Sequence, residues 1–122
     1  MEKQDREIKI GKTTLYLGED NILRETFIGG LDATTIKEIH EAANTLRNMV
    51  DGNVNTLINI DKVEMIAPKA IEFVTETLTD TKVGKVAFFG ANPLAPVLLA
   101  PFMGIIRKGN VAFFKEEEEA MQ

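Results

Sequence analysis

A chain of 122 residues can fold around one packed core and is too short for two. Its 44% apolar and 27% charged residues are those of an ordinary globular protein, and a net charge of −5 with scattered Lys and Arg argues against binding a phosphate backbone. Cysteine is absent, which removes disulfides, thiolate metal sites and a cysteine nucleophile together.

The opening MEKQDREIKIGK is charged and lacks the apolar core of a secretory signal, so a cytoplasmic location is the expectation. Residues 13–17 and 22–28 read as two short strands joined by Gly18-Glu19-Asp20-Asn21, with Gly29 and Gly30 ending the second. From Asp32 the period turns helical, and Ile36, Ile39, Ala43, Leu46 and Val50 place an apolar stripe on one face. Asp32 or Thr34 can cap that helix, Thr35-x-x-Glu38 fits a capping box, and Asp51-Gly52-Asn53 supplies the stop.

Residues 54–60 form the next strand, apolar enough to be covered on both faces. Pro68 suits the first turn of a helix that runs to about Leu78, with Ala70, Ile71, Val74 and Leu78 turned inward. After a turn over 79–83, residues 85–89 make a strand ending at Gly90, and Asn92 is placed to cap a further helix. A last short strand over 111–114 precedes a terminal helix over 115–122, whose Glu116 to Glu119 suit the positive end of the helix dipole. Strands that alternate with helices after an opening hairpin signal parallel, right-handed crossover units.

The stretch over 91–106, ANPLAPVLLAPFMGII, carries no charge. It is shorter than the roughly 20 apolar residues of a membrane span, and Pro93, Pro96 and Pro101 interrupt it. It reads as non-spanning, and as buried or interface-forming.

This order resembles the STAS domain, in particular its SpoIIAA-like branch, over nearly the whole chain. The resemblance is carried by Phe27-Ile28-Gly29-Gly30-Leu31-Asp32, by Leu57-Ile58-Asn59-Ile60-Asp61-Lys62-Val63, by Lys85-Val86-Ala87-Phe88-Phe89-Gly90, and by Val111-Ala112-Phe113-Phe114 followed by Glu119-Ala120. It implies a single α/β domain over 1–122, with a mixed, mostly parallel sheet of about five strands and crossover helices. In anti-sigma-factor antagonists of this class the resemblance further implies a serine at a helix start, phosphorylated to abolish partner binding. Here Ala67-Pro68-Lys69-Ala70 stands in that place and the whole chain lacks serine. Thr75 and Thr77 lie about two turns further on and are not equivalent, so the switch is not expected.

Individual residues offer little chemistry. His40, the sole histidine, sits at the rim of the helical stripe and reads as structural. Asp51-Gly52-Asn53-Val54-Asn55 begins like a calcium loop, but Thr56 and Lys62 occupy the positions where Gly and Glu would be needed. Gly90-Ala91-Asn92 reads as a tight turn, since no P-loop lysine or dinucleotide-type glycine pattern accompanies it. No catalytic residue, metal ligand or cofactor is expected.

Two surfaces remain. Asp61, Glu64, Pro68, Lys69 and Asn92 fall beyond the carboxyl ends of strands, where open α/β sheets bind, and form a candidate contact rim. Leu94, Leu98, Phe102, Met103 and Ile106 form a candidate apolar interface or pocket, because that segment is apolar nearly all round. The expected function is a non-enzymatic module that binds a protein partner or itself. The alternative is a binder or sensor of a small hydrophobic ligand or lipid, with peripheral membrane contact. An enzyme would need an unrecognised carboxylate pair such as Asp61 and Glu64.

Overall fold

The computed structural model describes residues 6–79, 83–102 and 111–114. Within them the strands are β1 (Glu7–Ile10), β2 (Thr13–Leu17), β3 (Leu23–Leu31), β4 (Val54–Ile66), β5 (Val83–Phe89) and β6 (Val111–Phe114). The helices are α1 (Ala33–Arg47), α2 (Pro68–Thr79) and α3 (Ala95–Leu99), which passes into a 3-10 turn over Ala100–Phe102. The strands form one sheet in chain order, β1 to β6. The pairings from β1 through β3 are antiparallel and those from β3 through β6 are parallel.

Six described strands replace the five expected, and the additional one is β1. The charged opening segment hides a period of two, Glu7-Ile8-Lys9-Ile10, whose isoleucines pack against the core. Gly11, at φ 60°, and Lys12 turn it into β2. Arg6 anchors the start, donating to the carbonyls of Leu17 at 2.8 Å and Gly18 at 2.7 Å.

Successive right-handed crossovers that step in one direction across a sheet place their helices on one face. Accordingly α1 and α2 pack side by side on the face carrying Leu15, Leu17, Leu23, Phe27, Ile58, Val86 and Phe88. The expectation that 54–60 is covered on both faces therefore needs correction. Asn55 is exposed and Asn59 half-buried, although Leu57 beside them is buried.

Boundaries moved where capping chemistry differed from the reading. The carboxylate of Asp32 accepts from Thr35 N–H at 2.7 Å and caps α1, which leaves Thr35 inside the helix and no capping box beginning there. The helix stops at Arg47, before Gly52, with Asn48 as its C-cap. Gly29 and Gly30 do not end β3, which pairs with β4 as far as Leu31 against Ile66. Of the turn expected over 79–83, Thr79 belongs to α2 and Val83 to β5; residues 80–82, the segment over 103–110 with Met103 and Ile106, and the expected terminal helix over 115–122 lie outside the described residues.

Candidate functional site

β4 is the element that builds the site. Its ladder with β5 ends at Asn59 against Phe89, whereas its ladder with β3 continues to Ile66. Two register shifts against β3, between Thr26 and Ile28 and between Gly29 and Gly30, each leave an extra residue on β4. Such bulges bend a strand and reset its alternation. Val63 is therefore buried while Met65, two residues on, is 55% exposed.

Beyond Asn59 the bent strand is held from the β5 side by side chains. Asn92 Nδ2 donates to the carbonyls of Ile60 and Val63, both at 2.8 Å, and Asn92 Oδ1 accepts from Leu94 N–H at 2.8 Å. The Asp61 carboxylate accepts from Ala91 N–H at 3.1 Å, and Asp61 N–H donates to Asn59 Oδ1 at 2.8 Å. The backbones approach so closely that a Cβ on Gly90, which sits at φ 148°, would lie 2.8 Å from the Asp61 nitrogen.

The polar candidates thus divide. Asn92 is buried and its amide is spent on holding β4 and the following turn. The residue at the N-cap of α3 is Leu94, without a side-chain cap bond, so Asn92, two residues earlier, closes a turn in place of the expected cap. Asp61, Glu64, Pro68 and Lys69 are exposed. α2 starts directly after Ala67, whose N–H completes the last rung to the Leu31 carbonyl at 2.8 Å.

The apolar candidates divide too. Leu98 and Phe102 belong to the buried core, whereas Leu94 is 45% exposed and Val97 73%. Proline at the first turn and the shortness of α3 leave only one of its faces seated. Between that helix, the bent end of β4 and the first turn of α2 runs a groove of about 250 Å³. Its walls are Glu64, Met65 and Ile66 from β4, Ile71 from α2, and Leu94, Val97, Leu98 and Pro101 from the α3 segment. The structure thereby brings one part of each sequence-read surface together: Glu64 from the polar set, and Leu94 and Leu98 from the apolar set. Asp61, Pro68, Lys69, Asn92 and Phe102 do not line it.

Sequence reading missed Met65 as a surface residue because the bulge that turns it outward leaves no mark in the alternation. It also missed Glu25 and Arg47, both buried, although the spacing shows them: Glu25 lies between Leu23 and Phe27, and Arg47 follows Ala43 by one turn. Among the described residues no three His, Asp or Glu side chains gather closely enough to hold a metal ion. Likewise no described helix is long and apolar enough to cross a membrane.

The sequence matches no family model and no curated protein. Solved structures do share the fold. An uncharacterized protein of the DUF3478 family with a SpoIIAA-like fold, from Shewanella loihica PV-4, superposes with a TM-score of 0.65 at 14% identity, over 89% of this chain and 88% of that one. The anti-sigma factor antagonist SpoIIAA in its unphosphorylated form superposes with a TM-score of 0.63 at 14% identity, over 89% of this chain and 94% of that one. The chain has a STAS fold of the SpoIIAA-like kind, and at this identity the likeness is one of fold.

Proposed function

We propose that the chain is a non-catalytic, SpoIIAA-like interaction module of the cytoplasm that binds a protein partner or a second copy through the groove between β4, α2 and α3. The observation that carries this reading is the convergence of Met65, Leu94 and Val97, three exposed apolar side chains from two separate segments, along one concave strip. Clustered exposed apolar side chains favour contact with another surface, whereas scattered ones need no explanation. Asp61, Pro68 and Lys69 lie exposed on the same end of the molecule and supply a polar border.

The module works without the phosphorylation switch. Ala67, Pro68 and Lys69 offer no hydroxyl at the start of α2, and Thr75 further on donates its own to the Ile71 carbonyl at 2.9 Å.

The groove is also concave and mostly apolar, which favours a small hydrophobic ligand as the second reading. Its volume of about 250 Å³ lies just under the common range of roughly 300–1,000 Å³ for ligand pockets. Size measurement in solution and affinity capture from the host, each repeated with V97K, test the first reading. Loss of self-association or of a captured protein with V97K supports it. A strictly monomeric chain that captures nothing, and that releases a lipid on extraction, establishes the second reading in its place.

A further inference from the structure

Beneath α1 the sheet buries an acidic and a basic side chain that the groove does not use. Glu25 is 4% exposed and Arg47 1%, with Arg47 Nη2 3.8 Å from Glu25 Oε2. Register explains the placement. Leu23, Glu25 and Phe27 alternate onto the helix-covered face of β3, and Arg47 falls on the buried stripe of α1.

Glu25 also borders a small cavity of about 30 Å³ between the two helices. Phe27 and Ile58 of the sheet, Ile39 and His40 of α1, and Val74 and Leu78 of α2 form its other principal walls. Such a space suffices for a water molecule. Asn44 connects the neighbours: its amide nitrogen lies 3.2 Å from His40 Nε2, and its oxygen accepts from Arg47 Nη1 at 3.4 Å.

Burial among apolar walls disfavours a carboxylate, and the nearby Arg47 guanidinium offsets only part of that effect, so the Glu25 carboxyl is pushed up to about 7. The charged or titratable groups that face it are Arg47 and His40, both from α1. From β2 it meets Leu15, from β4 Ile58, and from α2 Val74 and Leu78, none of which titrates.

We propose that Glu25 is a proton-operated lock on the α1–α2 layer: protonated, it is a neutral group that suits the apolar cavity while Asn44 holds the Arg47 guanidinium, and ionised, it draws water inward and loosens α2 from the sheet. The helix extends the effect to the groove, since Ile71 walls the groove while Val74 and Leu78, one and two turns further on, wall the cavity. That last extension rests on the groove being the binding surface, whereas the titration and the loosening do not.

Carbon-13 NMR of the glutamate carboxyl carbons in the unaltered chain tests the lock, with amide hydrogen exchange of α2 recorded over about pH 4 to 9. The expected result is one glutamate, assigned through its bonds as Glu25, that titrates near neutrality. α2 protection, corrected for the intrinsic pH dependence of exchange, falls several-fold above that midpoint. In E25Q the protection stays level through the same range. Assignment in the unaltered chain keeps the test intact if E25Q does not fold. A Glu25 carboxyl that titrates with the surface glutamates overturns the proposal. So does α2 protection that ignores the midpoint, or a transition that disappears in H40Q and persists in E25Q.

Discussion

Asn92 Nδ2 and the Val63 carbonyl lie 2.8 Å apart across 29 positions of sequence, and the same nitrogen reaches the Ile60 carbonyl at 2.8 Å. One side chain thus replaces the strand that β4 lacks on this side after Asn59. Removing it leaves two buried acceptors without a donor. N92A is expected to lower unfolding free energy by about 2–6 kcal/mol, at roughly 1–3 kcal/mol for each of the two orphaned buried groups. N92D, which sets carboxylate oxygens against carbonyl oxygens, lowers it further. Urea denaturation of the three proteins gives the values; a loss in N92A no larger than that of an average surface substitution shows that β4 holds its bend without the amide.

Gly90 meets two demands at once. Its φ of 148° is reserved for glycine, and a Cβ there would press on the Asp61 backbone at 2.8 Å from nitrogen and 3.0 Å from Cα. G90A should therefore cost about 1–3 kcal/mol or more and displace the turn that carries Asn92. Gly11 is the control. It also has positive φ, at 60°, but nothing lies within 4 Å of its Cβ position, so G11A should cost only about 1 kcal/mol. Equal losses for the two would mean that the contact with Asp61 relaxes freely.

How far the sequence revealed this arrangement depends on which force placed each residue. The parallel crossovers were legible, because Ile36, Ile39, Ala43 and Leu46 at helical spacing and Leu57, Ile58 and Ile60 in a run are direct records of burial. β1 was legible in principle: Ile8 and Ile10 alternate with charges, and only the surrounding polar residues hid them. The groove was legible by halves. Its two walls were visible as separate segments, but their meeting depends on the bulges of β4, which arise from tertiary pairing with β3 and leave no local mark. Asn92 illustrates the same limit, since an Asn ahead of a helix is read as a cap. Its amide found acceptors about thirty residues away in place of its own helix.

The groove should tolerate charge where it faces water. Val97 is 73% exposed and Met65 55%, so V97K and M65K are expected to change stability by no more than about 0.5 kcal/mol. Both should nevertheless abolish or weaken association at least tenfold if Met65 and Val97 sit at the centre of the contact, as measured by analytical ultracentrifugation or partner titration. L98K, aimed at a buried wall of the same groove, is the contrasting case and should unfold or strongly destabilise the chain. Unchanged association in both V97K and M65K would move the binding surface elsewhere on the molecule.

Carboxylates in opposite surroundings set the pH profile of stability. Hydrogen bonds from the Arg24 guanidinium hold the Asp20 carboxyl down to about 2 from an ordinary 3.8, and the Thr35 backbone N–H lowers that of Asp32. A depressed folded value means that the unfolded chain binds the proton more readily. The stability due to Asp20 is therefore present above pH 3.8 and lost as pH falls through about 2. Glu25 runs the other way. Its folded value is raised from 4.5 to about 7, so the folded chain binds the proton more readily, and its contribution is full below 4.5 and lost as pH rises through about 7. At 1.36 kcal/mol per pH unit that upper limb amounts to something on the order of 3 kcal/mol. Thermal unfolding should accordingly show a maximum in Tm at mildly acidic pH, between the two limbs. E25Q should flatten the upper limb and leave the acid one, whereas D20N should shrink the acid limb and leave the upper one. A Tm that stays level, or climbs, between about pH 5 and 8 contradicts a neutral, buried Glu25.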